Sequence, residues 1–195
     1  TNENLTAYIN STNSNSTITD WRVNGASWAA MNMPFDLENS SVTKDYSTLS
    51  NNGSVSGATW VSNCKVGGCY SFDGSNDKIT LPDSARQTGP HSIVMWINSS
   101  NWSQNTYPGF YGGQHLTNNN YDGGIAISSW GSLNTIYYDL HSSTTRYSCA
   151  WNPASLPSTN QWHHLVVTYD GNEMKIYFNG SRVANNTIGN ITLDW

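Results

Sequence analysis

Glu3, Glu38 and Glu173 are the only glutamates in the chain, and their positions decide what acid–base chemistry it can support. Enzymatic hydrolysis of a glycosidic bond takes two carboxyl groups about 5 to 9.5 Å apart, commonly presented by alternate residues of one strand. Glu3 sits in a polar lead-in, Glu38 beside a glycosylation triplet and Glu173 in a turn, and none belongs to a Glu-x-Asp-x-Glu strand. His163 and His164 are the other pair that invites a catalytic or metal reading. Adjacent residues of a strand point to opposite faces, so the two imidazoles do not clasp one ion; one is expected to pack and the other to face solvent. No Gly-x-Ser-x-Gly nucleophile elbow occurs. The chain is therefore expected not to be an enzyme.

Aromatic residues are plentiful. A sugar ring offers an apolar face and a girdle of hydroxyls, so aromatic side chains beside planar polar groups suit it. Trp102, Tyr107, Tyr111, His115, Tyr121 and Asp122 lie in a long Gly/Asn-rich stretch expected to form a loop rim, and Trp130 flanks another turn. These seven are the candidate ligand contacts. Trp96 and Trp162 are expected in the core.

The elements that would position such residues are strands. The chain has 195 residues, 36% apolar and only 11% charged, so Asn, Ser, Thr and Gly supply most of its polarity. Those residues compete with helix interiors and favour turns and strand edges. The net charge of −5 carries no basic block, which argues against a nucleic-acid partner. No run approaches the length and apolarity of a membrane-spanning helix. The chain opens on Thr1 with no charged-then-apolar leader, so an export signal is expected to have been removed or to lie outside this sequence.

Asn-x-Ser/Thr triplets occur at Asn4, Asn10, Asn15, Asn39, Asn52, Asn98, Asn101, Asn179, Asn185 and Asn190. Such density implies a glycosylated exterior, although a composition this rich in Asn, Ser and Thr produces several by chance. Cys64 and Cys69 enclose a glycine-bearing turn that either closes a disulfide or buries two reduced thiols, and Cys149 is either free and buried or paired outside the chain. Together these features place the protein outside the cell or on its surface.

The run from Gln161 to Gly180 is the most informative. Leu165, Val167 and Tyr169, then Met174, Ile176 and Phe178, alternate with more polar neighbours on either side of Asp170-Gly171-Asn172. That is a β-hairpin with one buried face. Its Trp-His opening and Asn-Gly close resemble laminin G-like, concanavalin A-like jelly-roll domains. The resemblance continues through Met31 to Asp36, Lys44 to Ser47, Asn51 to Ser54, Gly67 to Pro82 with its Phe72-Asp73-Gly74 turn, and Ser92 to Ile97. It implies an all-β antiparallel sandwich over residues 29–195, preceded at 1–28 by strands that resemble the tail of an immunoglobulin-like module.

The resemblance further implies a structural calcium, with Asp45 and Asn52 on two of the family's ligand positions; the alternative is that Asp45 simply caps a turn. The family's last strand has no counterpart before Trp195, so either the sequence is truncated or a neighbouring chain completes the sheet, with the strand at Leu5 to Ile9 a candidate donor. The functional expectation is a non-catalytic adhesion or carbohydrate-binding domain whose partner is a glycan or surface protein. The alternative is a structural subunit of a filament or surface layer that self-assembles by strand exchange.

Overall fold

The computed structural model describes residues 18–36, 41–103, 109–112, 124–128 (backbone alone), 134–142 and 145–193. The segment Leu5 to Ile9 lies outside the described residues. The chain divides into two compact units, Thr1–Ala85 and Arg86–Trp195.

In the first unit a hairpin of β1 (Arg22–Val23) and β2 (Ala26–Ser27) turns at Asn24-Gly25, whose φ values of 52° and 85° are those of a two-residue primed turn. Next come β3 (Val42–Thr43), β4 (Gly53–Ser56), β5 (Thr59–Val61), β6 (Cys69–Ser71) and β7 (Lys78–Thr80), followed by a single 3-10 turn at Asp83–Ala85. Strands β3, β4 and β7 form an antiparallel sheet and β5 pairs with β6. Cys64 and Cys69 form a disulfide with a Cα separation of 5.9 Å, which closes the loop between β5 and β6. Phe35 meets Tyr70 edge-on at 5.4 Å between ring centroids, and its carbonyl accepts the Trp60 indole N–H.

The second unit is the sandwich. Its strands are β8 (His91–Asn98), β9 (Gly109–Gly112), β10 (Gly124–Ser128), β11 (Thr135–Ser142), β12 (Thr145–Trp151), β13 (Trp162–Tyr169), β14 (Glu173–Phe178) and β15 (Ser181–Thr187). They form two antiparallel four-stranded sheets in the orders β15-β14-β13-β8 and β12-β11-β10-β9. Period-two alternation sends Ile93, Met95 and Ile97, Leu165, Val167 and Tyr169, and Met174, Ile176 and Phe178 to the interior. There they meet Ile136, Tyr138, Leu140 and Cys149 of the opposite sheet. Each fully buried aliphatic side chain contributes about 1.5–3 kcal/mol relative to exposure. The fold is thus an antiparallel β-sandwich of the jelly-roll kind.

The hairpin expected around Gly171 is present, with Leu165 opposite Phe178 and Tyr169 opposite Met174. Asp170 closes it by accepting the backbone N–H groups of Glu173 and Asn172 on Oδ1 while Lys175 reaches Oδ2. Those contacts hold the Asp170 carboxyl down at about 2. Asn179 and Gly180, at φ 49° and 83°, then turn the chain into β15.

Two expected core residues are placed otherwise. Trp96 faces outward at 44% exposure, because the inward positions of β8 fall on the odd-numbered Ile93, Met95 and Ile97. Trp162 shares that outward face, directly opposite Asn98, and is half-buried. Cys149 is a free, buried thiol, and burial pushes it up to about 11.

A buried polar chain crosses the sandwich. The fully buried Tyr138 hydroxyl donates to His91 Nε2 at 2.8 Å, and His91 Nδ1 donates to the Gly89 carbonyl at 2.7 Å, an assignment that requires neutral imidazole. Burial holds the His91 pKa below its ordinary value. The stability it contributes is therefore fully present above the unfolded-state pKa of about 6.5 and is lost as pH falls through and below it, toward the folded value. His91→Phe should leave the Tyr138 hydroxyl unpaired and cost about 1–3 kcal/mol at pH 8. Chemical denaturation of the variant at a series of pH values should also show a flatter profile than the wild type between about pH 7 and 5.

Candidate functional site

The first unit is organised by a buried carboxylate. Asp45, only 2% exposed, accepts the Asn32 and Ser47 backbone N–H groups on Oδ1, each at 2.8 Å. Its Oδ2 accepts the Ser47 hydroxyl at 2.7 Å and the Asn51 backbone N–H at 2.8 Å. Its own N–H donates to Asn52 Oδ1 at 2.9 Å. Burial pushes the Asp45 carboxyl up, but the donors from Asn32, Ser47 and Asn51 outweigh it and hold the pKa below the usual carboxylate value.

Asn32 carries this anchor to an aromatic cleft. Its side-chain N–H donates to the Thr19 carbonyl at 3.0 Å. Thr19, Asp20, Trp21, Trp28, Ala29 and Asn32 line an open depression of about 390 Å³. The two tryptophans are placed by the β1–β2 hairpin: the Trp28 backbone N–H donates to the Trp21 carbonyl at 2.6 Å and extends the ladder by one pair beyond Arg22 and Ser27. Trp21 is 41% exposed and Trp28 67%. Asp20 Oδ2 accepts Arg22 Nε at 2.7 Å and the Ser27 hydroxyl at 2.8 Å, contacts that lower its pKa and brace the hairpin mouth. The Ser27 hydroxyl also accepts the Thr48 backbone N–H, at 2.6 Å, so the hairpin is tied to the Asp45 loop from a second side.

A second aromatic surface lies on the outward face of β8 and β13. Trp96 is directly opposite His164, with ring centroids 4.9 Å apart, and Val94, 60% exposed, is opposite Val166. The two histidines divide as alternation requires. His163 is buried between the Ser158 carbonyl, 2.9 Å from Nε2, and the Asn179 side-chain amide, 3.1 Å from Nδ1, and His164 lies on the outer face.

The expected loop rim is only partly described. Tyr107, His115, Tyr121, Asp122 and Trp130 fall outside the described residues. Trp102 is corrected from rim to core. It is 2% exposed, packs edge-on against His163 and Phe178, and donates its indole N–H to the Ser158 carbonyl at 3.2 Å. Tyr111 likewise packs on the core from β9, and burial raises its pKa. The cleft residues Trp21, Trp28 and Asn32 were not among the expected contacts. Their signal was present: two tryptophans placed symmetrically about Asn24-Gly25 must face each other across a hairpin.

Asn52 stands beside Asp45, accepting its backbone N–H, and each oxygen of the Asp45 carboxylate accepts two protein donors. Among the described residues no three His, Cys, Asp or Glu side chains gather as metal ligands. Glu173 is held by Lys175 at 2.9 Å and by the Asn185 amide at 2.7 Å, with its pKa lowered chiefly by the Lys175 contact. Glu3 and Glu38 lie outside the described residues.

A family model described as the concanavalin A-like lectin/glucanases superfamily matches residues 73–194. The chain belongs to that superfamily. No curated protein sequence matches it. Among solved structures it is similar to domain 4 of AbnA, a GH43 extracellular arabinanase from Geobacillus stearothermophilus, solved in complex with arabinotriose. That likeness has 16% identity and a TM-score of 0.61, over 84% of this chain and 80% of the other. It is also similar to residues 221–444 of an S-layer domain-containing protein from Clostridium thermocellum ATCC 27405, at 21% identity and a TM-score of 0.51, over 82% and 73%. At these identities the superfamily member shares a sandwich fold with both. No helix among the described residues is long and apolar enough to cross a membrane.

Asp45→Asn tests the anchor. The substitution turns an amide N–H2 toward backbone N–H donors, so stability should fall by about 1–3 kcal/mol or more. The wild type should lose the Asp45 contribution only as pH drops below about 3.9 and through the depressed folded value, whereas the variant should lack that component of acid unfolding. Denaturant melts from about pH 7 to pH 2.5 measure both.

Proposed function

We propose that this protein is a non-catalytic saccharide-binding module of an exported or surface-displayed protein, and that its ligand lies in the cleft between Trp21 and Trp28. The observation that carries this reading is an open depression flanked by two exposed indoles and edged by fixed polar groups. Concave sites with apolar walls and a few placed hydrogen-bonding groups are where small ligands bind. An indole face covers the C–H face of a sugar ring, and Thr19, Asp20 and Asn32 line the same cleft with groups suited to hydroxyls. The arabinotriose-bound neighbour supports the ligand class, and the extracellular and S-layer neighbours support the location. Glu173 is tied into the Lys175 ion pair and Asp20 into the Arg22 pair, which leaves both poorly suited to proton transfer and favours binding over hydrolysis.

A structural calcium on Asp45 and Asn52 would compete with the donors that the carboxylate accepts. Chelator-dependent melting therefore distinguishes it from the hydrogen-bonded anchor. A second reading, a surface-layer subunit completed by a strand from another copy, is favoured by β15. Among the described residues that strand pairs only with β14 and leaves an open edge. Concentration-dependent light scattering of the full chain separates assembly from monomeric binding.

Calorimetric titration with a panel of neutral oligosaccharides, arabinotriose included, should identify a ligand. Trp21→Ala and Trp28→Ala should each weaken it about tenfold or more, the equivalent of about 1.4 kcal/mol. Trp96→Ser, on the other aromatic surface, should leave it unchanged. Retained affinity in both cleft variants refutes the assignment.

A further inference from the structure

The aromatic face of β8 and β13 has a different and independent reading, carried by what stands at its end. Asn98, Trp96 and Val94 share the outward side of β8, and Trp162 is the direct cross-strand partner of Asn98. Residues two apart on one strand are about 7 Å apart on the same face. Directly opposed side chains have Cβ atoms about 4.5–5.5 Å apart. The amide of Asn98 is thus bracketed by two indoles, one along its own strand and one across from it. It is also the head of the triplet Asn98-Ser99-Ser100.

The other described triplets are built differently. The Asn179 side-chain N–H donates to the buried His163 ring, and its Oδ1 accepts the His164 backbone N–H. The Asn185 amide N–H2 is committed to Glu173. Asn52 Oδ1 accepts the Asp45 N–H, and Asn101 Oδ1 accepts the Ser103 N–H. Asn98 and Asn190 are exposed with no side-chain hydrogen bond among the described residues, and the Ser100 hydroxyl is likewise exposed and unengaged. Of these two, Asn98 alone has indoles as its cross-strand partner and same-face neighbour.

We infer that Asn98 carries an N-linked glycan whose first sugar lies on the face formed by Trp96 and Trp162. In the modification the Asn98 Nδ2 bonds to the anomeric carbon of an oligosaccharide donated from a polyisoprenyl phosphate carrier. One Nδ2 proton leaves, and the anomeric carbon–oxygen bond to the carrier phosphate breaks, with no change in oxidation state. The attached ring covers the exposed indole area. An outward apolar surface that would otherwise invite association thereby becomes a hydrated one.

The test is secretion of the full chain from a eukaryotic host competent in N-glycosylation, with site occupancy read by glycopeptide mass spectrometry. Asn98 should be more fully occupied than Asn52, Asn101, Asn179 or Asn185. Ser100→Ala, which removes the triplet while keeping Asn98, should lower Tm by about 2–4 °C, the shift that a modest stabilising contact gives in a chain of this size. That decrement should vanish when Ser100→Ala is made in a Trp96→Ser, Trp162→Ser background. Should the double-tryptophan background fail to fold, trimming the wild-type glycan to its first sugar supplies the second measurement, and Tm should be retained. An unoccupied Asn98, a decrement that persists without the indoles, or a loss of Tm on trimming each overturns the proposal. None of these outcomes bears on the Trp21–Trp28 cleft.

Discussion

One buried carboxylate carries the geometry of the first unit. Four donors converge on Asp45, from Asn32 and from Ser47 and Asn51 of the loop that follows it. Each such donor, placed in a protein interior without an acceptor, would carry a desolvation penalty of about 1–3 kcal/mol. A carboxylate is the side chain with enough lone pairs to satisfy four donors at once. Thr43, Ser47 and Asn51, also buried in this part of the chain, are polar, so hydrogen bonding sets the positions of these loops together with hydrophobic burial. The cleft walls follow, because Asn32 takes its backbone position from Asp45 and spends its amide on Thr19.

The second unit rests on a different constraint. In β8, β13 and β14 every second residue faces the opposite sheet and, apart from His91 and His163, is apolar, so register and burial specify each other; a slip by one residue would send Leu165, Val167 and Tyr169 to solvent. This is why the hairpin around Gly171 could be read from sequence alone. The outward positions carry no such requirement, and there the reading of Trp96 failed. A large aromatic residue was taken as interior by its type, whereas the parity of β8 is set by Ile93, Met95 and Ile97. Trp102 failed in the opposite direction. Its Gly/Asn-rich surroundings suggested a loop rim, but the indole is received by His163 and Phe178, more than sixty residues further along the chain, a contact no local pattern encodes.

The candidate site was legible only in part, for related reasons. Asp45 and Asn52 were singled out together, and they do meet, yet as donor and acceptor to one another. The same residue types serve a cation cage and a hydrogen-bonded loop, so residue type alone does not separate the two. The cleft was missed because β1 and β2 are two residues each, too short for a hydrophobic period, although the Asn-Gly turn fixed which tryptophans would face each other.

A chain with 11% charged residues keeps its surface wet mainly through amides and hydroxyls, and this shapes where aromatic residues can stand. Lys and Arg stems usually cover exposed apolar area on a sheet. Here the outward face near Asn98 has Trp96, Val94, Val166 and Trp162, and the basic residue Lys175 is drawn away into contacts with Asp170 and Glu173. An exposed apolar face of this kind favours association through the apolar effect. A saccharide suits the vacancy better than a protein side chain does, since its ring matches the indole on one side and its hydroxyls meet water on the other. The two indole pairs of this protein, Trp21 with Trp28 and Trp96 with Trp162, therefore pose one physical problem, aromatic area at the surface, and the saccharide readings proposed for them would answer it in the same way.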